Sequence, residues 1–246
     1  MRYSHIITGL SLCVALLTGC ASQDKPAIPD KPAAQLYTEA QNALSVDDYQ
    51  RAEKYLEALD NRYPFGPYAD QVQLQLIHVY YKRNENEKAL ANIDRFIRNN
   101  PTSKALDYVY YMRGLTNMAY DYNFVQSLVG IDRASRDPSY SKAAFKDFKI
   151  ILAHYPQSPY AADARKRMIF LRDKLARHEI DIAHYYMKRE AYLAAVNRAK
   201  DILQTYEGST QTRAALKVMI EGYTKLELPQ LAKRSQQVLD AQSKSS

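Results

Sequence analysis

The chain has 246 residues, of which 46% are hydrophobic and 25% charged, and a formal net charge of +7. That composition supports a packed core. Gly is scarce at 7, Trp is absent, Tyr is abundant at 21, and few long runs are rich in Val, Ile and Thr, which argues against a sheet protein and for helices.

The first element in chain order is a leader. Arg2 supplies a positive start, and Ile6 to Leu17 is an apolar run of about a dozen residues. A span needs about twenty, so residues 1–19 read as a secretory signal rather than a membrane helix. The run closes on Leu17-Thr18-Gly19-Cys20, which resembles the bacterial lipobox. The resemblance implies cleavage before Cys20 and covalent diacylglycerol and N-acyl groups on it, with no other cofactor. Two or more acyl chains hold a protein stably to a membrane. Ala21 follows where an Asp would signal inner-membrane retention in enteric-type bacteria, so the expected location is the outer membrane, facing the periplasm. With Cys13 lost and Cys20 capped, no disulfide, thiol nucleophile or cysteine metal site is left. Loss of Arg2 takes the formal charge from +7 to +6. A moderately basic periplasmic protein points away from nucleic acid and toward acidic protein surfaces, peptide carboxylates and lipid head groups.

Residues 20–32 carry Pro26, Pro29 and Pro32 in a polar run and read as an extended tether. Helical periodicity begins near Ala33. Five segments align on an alanine that opens the second helix of a helical hairpin: Ala52, Ala89, Ala144, Ala195 and Ala232. In the first three, a proline stands twelve residues on (Pro64, Pro101, Pro156); in the fourth, Glu207 takes its place. This is the pattern of a tetratricopeptide repeat: small residues let helices approach, large apolar residues fill the gaps, and proline ends the second helix. The predicted fold class is all-α, an α-solenoid of five helix-turn-helix repeats in two lobes. The expected organisation is a lobe of repeats 1–3 over 33–157, a lobe of repeats 4–5 over 158–241, and a polar tail, 242–246. Ala52 to Ala89 and Ala195 to Ala232 are each 37 residues, but Ala89 to Ala144 is 55 and Ala144 to Ala195 is 51. An insertion is therefore expected at 121–139 and a long first helix in the fourth unit at roughly 159–189. Opposite charges in that insertion (Asp132, Arg133, Arg136, Asp137) read as pins to its own scaffold. NRYPFGPYADQ (61–71) and AHYPQSPYAAD (153–163) read as corners between repeats, with Glu207 expected to loosen the corresponding corner of unit four.

No catalytic constellation stands out. His178 and His184 are six apart, whereas ligands on one helical face stand three or four apart, and Asp47-Asp48 read as a turn. There is no GxSxG and no Gly-rich phosphate loop. The expectation is a scaffold and not an enzyme. First helices of such hairpins line the concave side, where the repeat frame puts Tyr37, Tyr81, Lys82, Tyr108 and Tyr111; Arg95 and Arg98 could add carboxylate-binding forks nearby. These seven are the candidate substrate groove, to be weighed against plain packing of tyrosines between helices.

The phrases ALDNRYPFGPY, IDRFIRNNP, DYVYYMRGLTNMA and VNRAKDIL, with the lipobox, the tether and five repeats, resemble the BamD family, lipoprotein subunits of the outer-membrane β-barrel assembly machinery of Gram-negative bacteria. The likeness runs over nearly the whole chain and fades after Ala241. It implies a scaffold that helps recognise unfolded outer-membrane proteins and insert them into the outer membrane. The implied partners are BamA, through its last POTRA domain and the C-terminal repeats, BamC along one face, and BamE near the C-terminal part. It also implies that the N-terminal repeats receive the C-terminal targeting segment of the unfolded proteins. The Arg of the V-N-R phrase, here Arg198, is the implied BamA contact. The competing readings are a different periplasmic tetratricopeptide lipoprotein serving as a cell-envelope or division scaffold, and a cell-wall hydrolase.

Overall fold

The structure is a computed structural model that describes residues 28–126 and 137–244. Among the described residues there are ten helices and no strand. They pair in order: α1 Ala33–Ser45 with α2 Tyr49–Arg62, α3 Ala69–Lys82 with α4 Asn86–Asn99, α5 Leu106–Gln126 with α6 Ser139–His154, α7 Ala161–Lys188 with α8 Tyr192–Thr205, and α9 Thr212–Lys225 with α10 Pro229–Lys244. Each helix packs on the next along the whole series, and the first helices of neighbouring hairpins also touch, α3 with α5 and α7 with α9. That is the solenoid expected from the five aligned alanines. Ala52, Ala89, Ala144 and Ala195 are fully buried. Ala232, on α10, is half-buried, since no described hairpin follows to cover that helix.

Within four of the five hairpins the turn is the same device. Asp47, Asn84, Glu190 and Glu227 each sit at positive φ, between 55° and 58°. The next residue's N–H donates five residues back: Asp48 to the Ala43 carbonyl, Glu85 to Tyr80, Ala191 to Tyr186 and Leu228 to Tyr223, at 2.9–3.0 Å. This is the Schellman end of a helix, in which a left-handed residue lets otherwise orphaned carbonyls be satisfied. The usual residue there is Gly, and none of the four is Gly.

Between hairpins a second device repeats four times. Tyr63, Asn100, Tyr155 and Tyr206 end the second helices, with φ between −118° and −132°. Each then accepts a hydrogen bond from the N–H three residues on, from Gly66, Ser103, Ser158 and Ser209. The carbonyls of those four accept in turn from Ala69, Leu106, Ala161 and Thr212. The corner after α8 therefore keeps the same bonds with Glu207 in place of proline; it is not loosened, because neither bond uses the side chain that follows Tyr206. The helix after the first corner begins at Ala69, with Tyr68 as its cap.

The core is a chain of clusters, each joining one hairpin to the next. Leu36, Ala40, Leu56, Leu59, Val72 and Leu76 share the first. Ile77, Ile93, Phe96, Val109 and Met112 form the second. α7, 28 residues long, joins two more: Ala164 and Leu171 pack with Phe148 and Ile151, while Leu175, Ile180 and Ala183 pack with Ala195, Ile202 and Val218. The long spacing before Ala195 is thus one continuous helix that serves both neighbours. Of the insertion expected at 121–139, α5 takes in the residues through Gln126, and α6 begins at Ser139. Asp132, Arg133 and Arg136 lie outside the described residues, as do residues 1–27 with Cys20. Asp137 accepts from the Ser139 N–H at 3.0 Å, which suits a residue just ahead of a helix.

Candidate binding groove and partner surface

Helix α3 has two faces. Val72, Leu76, Ile77, Val79 and Tyr80 turn inward, and Gln71, Leu74, Gln75 and His78 form a second stripe at helical spacing. α1 lays a parallel stripe beside it. Tyr37 stacks on Tyr68 with centroids 4.3 Å apart and planes 11° apart, and Gln41 donates to the Gln75 side-chain oxygen at 3.0 Å. Leu44 continues that stripe, and Ala105 and Tyr108 close the far side from the start of α5. Together Leu44, Gln71, Leu74, Gln75, His78, Ala105 and Tyr108 enclose a groove of about 290 Å³.

The lining holds leucine, alanine, two amides, an imidazole and a phenol, with no carboxylate and no lysine or arginine. Burial, then the nearby Lys82 ammonium, hold the His78 imidazole below its ordinary range, so it stays neutral near pH 7. Burial pushes the Tyr108 phenol up, which keeps it a neutral donor. Tyr108 lies 5.8 Å from Tyr160, which stacks on Tyr111 at 4.7 Å, and the Tyr111 hydroxyl donates to Asp163 at 2.7 Å. This aromatic wall is fixed at its far end by a charge-assisted hydrogen bond. Lys82 is one turn beyond His78 on the same stripe, with its ammonium 5.4 Å from the Tyr49 ring centre. An apolar trough with amide edges and one cation at its end suits an extended peptide, which brings backbone donors and acceptors and alternating side chains.

The ion pairs lie elsewhere. The buried Glu53 carboxylate on α2 takes Arg83 and Lys88, each at 2.6 Å. Arg95 reaches Asp60 at 2.7 Å and also donates to Asn92. Arg113 joins Asp94 at 3.1 Å and the buried Asp147 at 2.7 Å. Burial raises the Asp147 carboxyl, and Arg113 and Asn117 pull against that rise.

Of the seven groove residues expected from the repeat frame, the structure brings Tyr108 into the lining and sets Tyr37 and Lys82 along its margins. Tyr111 stands behind it in the aromatic wall. Tyr81 is half-buried against the second core cluster, as Leu74 and Tyr108 are, but it is not part of that lining. Arg95 and Arg98 sit on α4, a second helix, and the groove is built from first helices only; the Arg95 fork is engaged by Asp60 and Asn92. Gln71, Leu74, Gln75 and His78 were missed, although their spacing of three and four residues in QVQLQLIHVYYK is a legible second stripe.

Arg198 has its own geometry. Its Nη1 donates to Oε2 of Glu179 at 3.0 Å, and Lys142 holds the other oxygen at 3.2 Å. The Glu179 side chain is 4% exposed, Arg198 39% and Lys142 46%. Burial pulls on the Arg198 guanidinium, but Glu179 outweighs it and raises its pKa. A buried carboxylate of α7 thus carries two half-exposed cations, one from the hairpin before it and one from its own.

Among the described residues no group of three or more His, Cys, Asp or Glu could hold a metal ion, and no helix is long and apolar enough to cross a membrane. The arrangement defines a class: a helical-repeat scaffold with an uncharged groove on its first three hairpins and an arginine–carboxylate node on its fourth. The chain belongs to the YfiO family of outer membrane lipoproteins, whose model matches residues 29–239. It is 46% identical over 239 residues to the outer membrane protein assembly factor BamD of Vibrio cholerae, covering 97% of this chain and 98% of that one. The proteins of the same name from Pasteurella multocida and Neisseria gonorrhoeae are 39% and 40% identical, over 98% and 94% of this chain and 92% and 87% of theirs.

Proposed function

We propose that this protein is a non-enzymatic scaffold of the outer-membrane β-barrel assembly complex, held to the membrane by lipid on Cys20 and working on the periplasmic side. The α1–α3–α5 groove receives extended segments of unfolded outer-membrane proteins. Its uncharged lining, with Lys82 at one end, fits an apolar chain that ends in a carboxylate. Arg198 docks BamA, and BamC and BamE bind other faces. The observation that supports the division most is that the groove and the Glu179–Arg198 node lie on different hairpins and differ in chemistry.

Copurification tests the docking. Arg198→Glu would set a second carboxylate against buried Glu179, and lost binding could then reflect lost folding. The informative variant is Arg198→Ala combined with Glu179→Gln, which leaves no buried lone charge at that position. It should retain the native helical signal and recover at least about tenfold less BamA, on the scale of a lost charge-assisted contact. Undiminished recovery would remove Arg198 from the interface. Membrane fractionation of Cys20→Ala tests the anchor: the variant should leave the membrane and take up no acyl label.

A further inference from the structure

The four corners between hairpins share one backbone and one set of hydrogen bonds, so their tips can be compared position by position. The residue two after the helix end is Phe65 in the first corner, Thr102 in the second, Gln157 in the third and Gly208 in the fourth. Phe65 is 98% exposed, more than any other large hydrophobic residue among those described. Pro64, Gly66 and Pro67 surround it, and the Gly66 N–H is spent on the Tyr63 carbonyl at 3.0 Å, so the ring is held out on a stiff turn. A lone exposed apolar side chain is ordinary. One such ring on a repeated corner whose other copies carry polar or small residues asks for a cause.

The chain entry supplies it. The first described residues are fastened to this same corner. Arg62 donates to the carbonyls of Ile28 and Pro29, the latter at 2.9 Å, and lies 3.8 Å from Asp30. The Tyr63 hydroxyl donates to the Lys31 carbonyl at 3.1 Å, and Ile28 packs on the first core cluster. Cys20 precedes Ile28 by eight residues. Eight residues reach at most about 29 Å when fully extended. A lipid on Cys20 therefore keeps Ile28 within that distance of the bilayer surface, and the first corner, to which residues 28–31 are fastened, lies beside it.

We propose that Phe65 inserts into the lipid interface as a second, reversible contact that orients the solenoid on its membrane. It rests on the reading of Cys20 as the lipid-bearing residue. Aromatic rings favour the head-group boundary, and a tether turns a weak contact into an intramolecular one at high effective concentration. The charges near the corner are balanced, with Arg62 beside Asp30 and Lys31 beside Glu39 at 3.4 Å. The contact is accordingly apolar and insensitive to salt, unlike a basic patch on anionic lipid.

Because the chain has no Trp, one substitution makes a clean reporter. Full-length lipidated Phe65→Trp and Gln157→Trp are reconstituted in phosphatidylethanolamine–phosphatidylglycerol vesicles, with and without bromine on the acyl chains near the head group. Flotation with the vesicles and the mass of the amino-terminal peptide report the lipid on Cys20 independently. The expected result is that bromine removes roughly half or more of the Phe65→Trp emission and leaves Gln157→Trp unchanged, at low and high salt alike. Protein that floats with neither reporter quenched overturns the insertion of Phe65. Equal quenching of both overturns it as well, since a molecule lying flat needs no special corner. Protein that does not float, with an unmodified Cys20, overturns the lipid reading and the inference together.

Discussion

In the first three hairpins the face built by α1, α3 and α5 is lined by leucine, amides and tyrosine, and the ion pairs of Glu53, Asp60 and Asp147 stand apart from it. In the fourth hairpin a half-exposed arginine stands on a buried carboxylate that it shares with Lys142. The repeat frame is the same in both regions, down to the corner hydrogen bonds and the left-handed turn residues. The difference lies in what each stripe of first-helix and second-helix residues carries. A solenoid can thus separate an uncharged trough from a charged node along one continuous core, with α7 joining the two stretches.

The largest expected effects concern the buried carboxylates. Arg113→Ala takes from Asp147, whose side chain is 3% exposed, its ion-pair partner, and should cost about 3–5 kcal/mol in chemical denaturation. Arg198→Ala should cost clearly less, because Lys142 still neutralises Glu179. Equal losses would break the comparison, for they would make Lys142 irrelevant and the two carboxylates alike.

Two glycines test packing in each region. A Cβ at Gly114 would lie 2.6 Å from Phe148, and one at Gly222 would lie 2.5 Å from Val196. Gly114→Ala and Gly222→Ala should each destabilise by about 1–3 kcal/mol through overpacking. The first should also disturb α5 beside the groove and weaken peptide binding; the second should leave peptide binding intact. Thermal melts and peptide titrations of the two variants separate these outcomes.

The turns predict a gain. Glu190 and Glu227 occupy left-handed conformations that side chains disfavour, so Glu190→Gly and Glu227→Gly should each raise stability by up to about 1 kcal/mol. Asp47 and Asn84 are residue types that tolerate that conformation better, so the same change near the groove should yield less.

The smallest effect is a pH dependence from the groove histidine. Burial and Lys82 lower the His78 pKa below its unfolded value of 6.5. The unfolded chain then binds the proton more readily, so the contribution is intact above 6.5 and declines as pH falls from there through the lowered value. Melts of the wild type and His78→Gln across that window should converge at high pH and differ on the acid side.

The repeat was legible because its signals are local: an alanine at a close helix contact and a proline after a helix end. The long α7 was legible as excess spacing. The groove was less so. Tyrosine suggested contact area, and Tyr108 does line the trough, yet most of the lining comes from the polar-looking stripe of Gln71, Gln75 and His78. Arg95 read as a free fork, but its partner Asp60 is 35 residues away and comes close only once two hairpins stack. Glu179 carries no sequence signal at all; its role follows from the approach of Lys142 and Arg198 from two different helices. The sequence marked NRYPFGPYADQ as a corner; the structure adds the exposure of Phe65 and its place beside the fastened chain entry.

The most direct test is photocrosslinking in the full-length lipoprotein, with the probe at Gln71 in the groove or at Asp201, one turn beyond Arg198 on α8. The account predicts that the Gln71 probe captures the C-terminal segment of an unfolded outer-membrane protein and that the Asp201 probe captures BamA. Capture of that segment at Asp201 alone, with none at Gln71, would contradict it.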